Sequence, residues 1–387
     1  MSASPSHAPL TLLSDDESLF RASVRDFAER TIRPRVAEMD RDARLAPEVL
    51  RGLFDMGLMG IEVPPELGGA GASFFTTVLA VEEISRVDPA VGVLVDVQNT
   101  VVLSALLKYA NDDQRRRFLP ALATERPGSF CLSESGSGSD AFALACRAHP
   151  VEGGFRLEGR KMWVTNAREA GTFVIFATVD PEAGYKGITA FLVEREAPGL
   201  TVGKAEDKLG IRASSTCELL LDGCFVARDQ VLGDVGRGYK IAIELLNEGR
   251  IGIGAQLVGL ARGALEHALG YARTREQFGR PIAANQGMQF WLAELAVDVE
   301  TARLTVYNAA RLRDAGQPFV REAAIAKYHA SQVAERVASR ALEVFGGAGF
   351  TKDYPAEKLY RDAKIGKIYE GTSFMQLQTI AKLVLGE

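Results

Sequence analysis

The sequence contains few of the residues that build metal centres or cysteine nucleophiles. Only four of its 387 residues are cysteines and only four are histidines, and their spacing matches no common metal-ligand pattern. Scattered thiols without such a pattern fit a reducing compartment. We therefore expect no metal site and no cysteine–histidine catalytic pair.

Long apolar runs and excess positive charge are also scarce. A net charge of -5 gives no case for nucleic-acid binding, and we find no apolar run near the roughly 20 residues that a bilayer span needs. The first nine residues lack Lys, Arg and an apolar core, unlike a signal or transit peptide. We expect a cytoplasmic protein that binds neither membrane nor nucleic acid, with a disordered tail over residues 1–11.

The order of periodic patterns predicts an α+β multi-domain protein. Residues 12–127 have helical spacing, and Ser14 with Glu17 forms a capping-box pattern, so we expect an all-α domain. Residues 128–232 hold strand-length aromatic and β-branched runs split by turns, which indicates an antiparallel β domain. Residues 233–387 return to helix and predict a four-helix-bundle-like domain. One seam of this bundle repeats at three- and four-residue steps: Leu292, Leu295, Val299, Ala302, Val306 and Ala309.

Four stretches can carry chemistry, and each also has an ordinary explanation. The glycine- and serine-rich stretch 131–140 can bind a ligand through its backbone or be a flexible surface loop. Trp163 can face a ligand or lie in the β core. Three arginines within 273–280 can grip phosphates or end a helix in solvent. The glycines within 343–349 can admit a ligand or simply stop a helix.

A fifth stretch, from Ile368 to Ser373, places one carboxylate at a helix break. Gly371 can take the left-handed conformation that ends a helix, and Thr372 or Ser373 can cap the next helix. The intervening side chain, Glu370, can therefore point into a cleft. The alternative is an exposed glutamate at a helix end, which is where most glutamates lie.

Two long signatures occur in a fixed order along the chain. The first spans residues 131–140, and the second runs from residue 345 to residue 372. Together they resemble the acyl-CoA dehydrogenase family, and the resemblance covers nearly the whole chain. Within that family the chain resembles most the short/branched-chain (2-methylbutyryl-CoA) members, through stretches 208–217, 246–253 and 349–355.

This resemblance implies a flavoenzyme that binds FAD and is a homotetramer. Such an enzyme removes one hydrogen from each of the α and β carbons of an acyl-CoA thioester and yields the trans-2-enoyl-CoA. Glu370 would be the base that takes the α proton, and the β hydrogen would pass as hydride to flavin N5. Electrons would then go to an electron-transfer flavoprotein. Some family members carry the base at the position of Gly249, where a glycine cannot serve.

The resemblance also implies roles for further residues. Those along the CoA and acyl path are Ser139, Tyr239, Asn247 and Arg250. Those that would contact FAD within one subunit are Leu132, Ser133, Gly138, Ser139, Trp163, Val164, Thr165, Val344, Phe345, Gly346, Gly347, Thr372 and Phe374. Those that would reach FAD across a subunit interface are Arg275, Phe278 and Gln286.

The chain departs from the family pattern in two places. Ser135 and Ser137 replace the usual Pro and Ala of the first signature, so we expect a more mobile loop. Phe374 and Met375 replace the usual polar residue and Ile near the adenine end.

Several functions remain open at this point. The leading interpretation is a dehydrogenase for a short or 2-methyl-branched acyl-CoA, with straight-chain butyryl-CoA as the main alternative substrate. A dioxygen-using oxidase or monooxygenase on the same scaffold is a second possibility, although such monooxygenases do not need the base. The third is a non-catalytic flavin-binding scaffold.

Overall fold

The computed structural model describes residues 9–386, and the elements follow the order that the sequence predicts. Helices occupy the chain from residue 15 to residue 124, strands dominate from 128 to 232, and helices return from 238 to 385. This is the predicted α+β architecture. Residues 1–8, which hold most of the expected disordered tail, lie outside the described residues.

The first helical part begins with the predicted capping box. The Ser14 hydroxyl accepts a hydrogen bond from the Glu17 N–H (3.2 Å), and the Glu17 carboxylate accepts one from the Ser14 N–H (3.0 Å). Pro34 lies in a short 3₁₀ turn between the first two helices. The helices are α1 (Asp15–Phe27), α2 (Val36–Asp42), α3 (Pro47–Asp55), α4 (Phe74–Ser85), α5 (Pro89–Asp96), α6 (Ser104–Tyr109) and α7 (Asp112–Thr124).

One helix of this part corrects an expectation from the sequence. Helices α5 and α6 join through a π-helical segment, Val97–Leu103, into a continuous helix of 21 residues from Pro89 to Tyr109. It is long and apolar enough to cross a membrane, so the expectation that no such run exists was wrong. Because 94% of its apolar window is buried inside the protein, it is a core helix.

The middle part is a twisted sheet that is mixed rather than purely antiparallel. Its strands follow the order β6-β7-β3-β2-β4-β5-β8, and the first strand pairs with β4 in parallel. All but one of the other pairings are antiparallel; β2 meets β4 in parallel at a single residue pair. The strands are β1 (Gly128–Cys131), β2 (Arg147–Val151), β3 (Gly154–Thr165), β4 (Thr172–Thr178), β5 (Ile188–Glu194), β6 (Leu200–Ala205), β7 (Thr216–Ala227) and β8 (Val231–Leu232).

The last part is a helical bundle around one very long helix. The six predicted seam residues between 292 and 309 are all buried, which confirms the predicted apolar stripe. A small hairpin lies between the first two bundle helices. The elements are α8 (Gly238–Thr274), β9 (Glu276–Gln277), β10 (Arg280–Pro281), α9 (Gln286–Asp314), α10 (Val320–Phe345), α11 (Ala356–Ala363) and α12 (Ser373–Leu385).

Candidate active site

The segment around Glu370 forms the predicted break before helix α12. Thr372 caps α12, since its hydroxyl accepts a hydrogen bond from the Met375 N–H (3.4 Å). Glu370 has φ +51° and Gly371 has φ +84°. A left-handed conformation is ordinary for glycine but uncommon for glutamate. The neighbours of this segment must therefore hold Glu370 in place.

Two buried side chains bind the carbonyls of this segment. The Gln376 amide donates to the carbonyl oxygens of Glu370 (3.1 Å) and Gly371 (2.9 Å), and Lys327 Nζ donates to Gly371 (2.6 Å). The Glu370 N–H, in contrast, has no hydrogen-bond acceptor within residues 9–386. That donor is therefore available to a ligand oxygen.

The Glu370 carboxylate is close to other charges but bonds to none. Neither of its oxygens accepts a hydrogen bond from the described residues, and Oε2 is buried. A Cβ added at Gly249 of α8 would lie 3.0 Å from that oxygen, so the carboxylate rests against the bare helix backbone. Burial raises the pKa of Glu370, and the charges of Lys327 and Arg250 only partly offset this.

Helix α8 contributes the two predicted substrate residues nearest to Glu370. Arg250 Nη1 donates to Asn247 Oδ1 (2.9 Å), while Arg250 Nε is buried and has no partner in the described chain. Burial lowers the pKa of Arg250, and the Glu370 charge counteracts this. The structure thus brings Glu370, Asn247 and Arg250 together, as the sequence predicts.

A second buried carboxyl, Asp96, lies beside this group and was not predicted from the sequence. Its Oδ1 accepts a hydrogen bond from the Thr100 hydroxyl (3.0 Å) and rests against Gly252, one turn of α8 from Gly249. Burial, and then the charge of Glu370, raise the pKa of Asp96 well above its usual range. The available signal was a single acid within the apolar run from 89 to 109.

The glycine-rich loop of the first signature is braced by its own acid. The Glu134 carboxylate accepts hydrogen bonds from Lys161 Nζ (2.6 Å) and from the N–H groups of Ala145 (2.7 Å) and Cys146 (3.1 Å). The Ser137 hydroxyl bonds to backbone carbonyls at 140 and 141. These bonds hold the loop to strand β3 and to its own backbone, and the greater mobility expected from the serine substitutions stays a prediction.

The predicted flavin residues of this loop have different exposures. Leu132 is buried and Ser133 is half-buried, whereas Gly138 and Ser139 are exposed. The Ser133 carbonyl accepts a hydrogen bond from the Met162 N–H (2.9 Å). This bond ties the loop to strand β3, which carries the next predicted residues.

Trp163 faces outward because strand β3 contains a bulge. The register against β7 shifts between Lys161 and Val164, so β3 has one extra residue there. Trp163 has φ +60° and is 57% exposed, which overturns the interpretation of a tryptophan in the β core. Thr165 is half-buried, while the Val164 side chain is buried, so Val164 can contact a cofactor only through its backbone.

The hairpin between α8 and α9 carries the residues expected to reach another subunit. Phe278 is 99% exposed, and it and Gly279 both have positive φ (+52° and +75°), as a tight two-residue hairpin requires. Arg275 and Gln286 are exposed as well. Among residues 9–386, none of these three forms a hydrogen bond to another predicted site residue.

The residues predicted at the adenosine end are split between core and surface. Val344 and Phe345 are buried, and the Phe345 ring stacks on Tyr271 with centroids 4.3 Å apart. Only their backbone can face a ligand. Gly346, with φ +61°, ends helix α10 and is exposed together with Gly347.

Two aromatic site residues outside these groups also differ in exposure. Phe374 is 82% exposed on the first turn of α12. Tyr239, at the start of α8, is half-buried and packs edge-on against Tyr185 (4.8 Å) and Phe142 (6.5 Å). These contacts place Tyr239 beside the segment that follows the glycine-rich loop.

All four cysteines are buried and free. Burial raises the pKa of the Cys146 and Cys224 thiols to about 11. Such thiols are poor nucleophiles near neutral pH.

Three family models match the chain in sequence order. They are the acyl-CoA dehydrogenase N-terminal domain (residues 14–126), middle domain (129–224) and C-terminal domain (236–385). Together they match most of the chain, in the same order as the helical, sheet and helical parts.

Two curated relatives and one solved structure are similar over nearly their full lengths. A probable short/branched chain specific acyl-CoA dehydrogenase of Dictyostelium discoideum is 56% identical over 97% of this chain and 92% of its own. The mitochondrial short/branched chain specific acyl-CoA dehydrogenase of Bos taurus is 49% identical over 99% and 89%. The butyryl-CoA dehydrogenase structure from Megasphaera elsdenii is 36% identical, with a TM-score of 0.95 over 97% and 99%.

Proposed function

Because the chain belongs to the acyl-CoA dehydrogenase family, we propose that it oxidises a short, 2-methyl-branched acyl-CoA to the trans-2-enoyl-CoA. Family membership makes it a flavoprotein oxidoreductase. Two relatives named for short/branched chains, at 56% and 49% identity, support the branched substrate. The single observation that carries the proposed chemistry is the unpaired carboxylate of Glu370 beside its own unpaired N–H.

We propose Glu370 as the base that removes the α proton. A general base must reach its proton and should have a pKa raised towards the working pH. Glu370 meets the second condition because burial raises its pKa, and Lys327 and Arg250 keep the ionised form accessible. Since no described residue bonds to the carboxylate, none competes with a substrate for it.

The free N–H of Glu370 supports binding of the thioester oxygen. As the α proton leaves, negative charge develops on that oxygen, and a fixed donor stabilises it. The carbonyls of Glu370 and Gly371, in the two peptide units that follow this N–H, are bonded to Gln376 and Lys327, and these three hydrogen bonds hold the backbone on the C-terminal side of Glu370.

The residues that the resemblance assigns to the flavin have exposed groups that fit the FAD that the family implies. Trp163 presents an exposed indole from a bulge, and Gly138 and Ser139 expose backbone and hydroxyl groups with no Cβ contact at Gly138. Ser133 and Thr165 add half-buried hydroxyls. Bound FAD would supply the acceptor for the β hydride.

The proposed assembly and partners extend the same reasoning. Phe278 at 99% exposure, with Arg275 and Gln286 beside it, suits a contact with a second subunit of a homotetramer. An electron-transfer flavoprotein is the acceptor that the resemblance implies. Ser139 and Tyr239 are proposed to line the CoA path. A cytoplasmic location also stays a prediction.

A panel of acyl-CoAs tests the reaction and its substrate together. FAD-reconstituted protein is mixed without oxygen with 2-methylbutyryl-, isobutyryl- or butyryl-CoA, and bleaching of the flavin absorbance is followed. We expect 2-methylbutyryl- or isobutyryl-CoA to bleach the wild type fastest, while a Glu370→Gln variant stays oxidised. Faster bleaching by butyryl-CoA would move the substrate to the straight-chain class.

Two other outcomes would remove the proposal altogether. A protein that takes up FAD but is reduced by no acyl-CoA would be the non-catalytic flavin-binding scaffold. Reduction by acyl-CoA followed by fast reoxidation in air, without a flavoprotein acceptor, would indicate an oxidase.

A further inference from the structure

Lys327 is a fully buried lysine without a carboxylate partner. It lies on α10 in the same buried stripe as Ala323, Ala330 and Ala334. Its Nζ makes one hydrogen bond, to the Gly371 carbonyl at 2.6 Å, and no carboxylate of the described chain lies within 4.0 Å. Burying an ammonium group without a carboxylate partner costs free energy, because the charge loses its hydration.

The two other buried lysines in the described chain are paired. Lys161 contacts Glu134 at 2.6 Å, and Lys358 contacts Asp88 at 2.9 Å and Asp362 at 2.6 Å. In those cases the ion pair explains the burial. For Lys327, we look for the reason for burial in its hydrogen bond to the Gly371 carbonyl and in the effect of its positive charge on nearby groups.

We propose that Lys327 is a positioning residue for Glu370. Its hydrogen bond to the Gly371 carbonyl keeps the Glu370 side chain oriented towards the substrate. This inference rests on the proposed dehydrogenase function. Glu370 is in a left-handed conformation that a glutamate rarely adopts, and such a conformation persists only where neighbours impose it. Lys327 and Gln376 impose it through three hydrogen bonds to two successive carbonyls.

The charge of Lys327 has a second effect, on the ionisation of Glu370. The charged groups that face Glu370 are Lys327 from α10, Arg250 from α8 and Asp96 from the end of α5. Burial lowers the pKa of Lys327 to about 8, and the Glu370 charge counteracts this. A protonated Lys327 favours the carboxylate form of Glu370. Removing it would therefore raise the pKa of Glu370.

Two variants separate the hydrogen bond from the charge. Lys327→Met removes both, whereas Gln376→Leu removes two hydrogen bonds to the same carbonyls and no charge. Lys364→Gln is the control, because it removes one exposed positive charge near Glu370 in sequence and leaves the site intact. The rate of flavin reduction by the best acyl-CoA is measured from pH 5 to pH 9, together with FAD content and thermal unfolding.

We expect both site variants to lower the limiting rate, on the order of tenfold to hundredfold, because the base is misplaced. Only Lys327→Met should move the midpoint of the pH profile to higher pH, because Glu370 then loses a neighbouring cation. Lys364→Gln should have the same limiting rate and the same pH midpoint as the wild type. If Lys327→Met does not fold, Lys327→Gln takes its place with the same expectation for the midpoint.

A binding measurement tests the positioning without catalysis. Crotonyl-CoA has the thioester oxygen that the Glu370 N–H would bind, while S-butyl-CoA, a thioether, lacks it. We expect Lys327→Met to weaken the binding of crotonyl-CoA by about fivefold or more, because the hydrogen bond from the Glu370 N–H to the thioester oxygen is misaligned. The binding of S-butyl-CoA should not change.

The outcomes distinguish this inference from the proposed function. If a folded Lys327→Met keeps the wild-type limiting rate, pH midpoint and preference for crotonyl-CoA, Lys327 has no positioning role. If the wild type itself is not reduced by any acyl-CoA, the proposed function fails, and this inference fails with it.

Discussion

Two glutamates at one turn of helix α8, the buried Glu248 and the half-buried Glu370, have opposite environments. One oxygen of Glu248 accepts hydrogen bonds from Arg313 (3.0 Å) and Lys108, and these cations lower the pKa of Glu248 although burial alone would raise it. Glu370 rests on the neighbouring position, Gly249, with two cations nearby but none in contact. Its pKa is raised. At Glu248, direct contact with two cations outweighs the effect of burial on the pKa, whereas at Glu370, which no cation contacts, burial prevails.

The largest expected effect comes from removing the unpaired glutamate. Glu370→Gln should lower the rate of flavin reduction by about 10²–10⁴-fold, the usual contribution of a general base. Its thermal stability at pH 8 should equal or exceed that of the wild type, because the folded-state pKa is raised and the ionised form costs stability above pH 4.5. A variant that is less stable and still reduced at the normal rate would reverse the comparison.

Removing the paired glutamate should have the opposite result. Glu248→Gln should lower the free energy of unfolding by about 1–3 kcal/mol, because Arg313 and Lys108 lose a charged acceptor. The rate of flavin reduction per folded molecule should stay within about threefold of the wild type, since this side chain is not expected to touch the substrate. Urea denaturation and stopped-flow reduction measure the two quantities. A large loss of rate with intact stability would assign chemistry to Glu248.

Gly249 follows Glu248 in the chain and contacts the Glu370 carboxylate, so a substitution there displaces that carboxylate without removing it. An added Cβ would lie 3.0 Å from Glu370 Oε2 and 3.2 Å from Val101 Cγ1, so the carboxylate must shift by a few tenths of an ångström. We expect Gly249→Ala to slow flavin reduction by about threefold to tenfold. Gly270→Ala is the matched control on the same helix, where a Cβ meets nothing within 4 Å. Equal rates in the two variants would show that the carboxylate tolerates displacement.

The smallest expected effect is the pH dependence of the Glu248 pair. Because its folded-state pKa is lowered, its stabilisation is fully present above pH 4.5 and is lost as the pH falls through the lowered value. The stability difference between the wild type and Glu248→Gln should therefore be constant near neutral pH and shrink below about pH 4.5. A difference that stays constant down to pH 3 would mean that the pair is not ionic.

The helix break at Glu370 shows what could be read locally. Gly371 and Thr372 have strong intrinsic preferences, so the cap of α12 followed from adjacent residues. The end of the preceding helix did not, because α11 ends at Ala363 and a 3₁₀ turn, Lys364–Lys367, comes before Glu370. The capping box at Ser14 and the bundle seam followed in the same way, because each depends on spacing within a few turns. The resemblance to the family then supplied a role for Glu370 that its local sequence did not.

Trp163 and the helix from 89 to 109 show what the local sequence could not predict. The β3 bulge depends on the register with β7, a strand more than 50 residues later in the chain, as the pairing of Val164 with Cys217 shows. The apolar length of this helix was underestimated because Asp96, Gln98 and Asn99 interrupt its apolar run. The structure buries all three, and two of them bond to backbone carbonyls across the core.

Local preference and spacing within the sequence were enough to determine the order of helices and strands, the break at Glu370 and the helix caps at Ser14 and Thr372. Only the tertiary structure decided the chemistry of that glutamate. Lys327, 44 residues before Gly371, and Gly249 on another helix set its surroundings. The physical reason is that ionisation depends on burial and on atoms within a few ångströms, and packing alone brings distant residues that close.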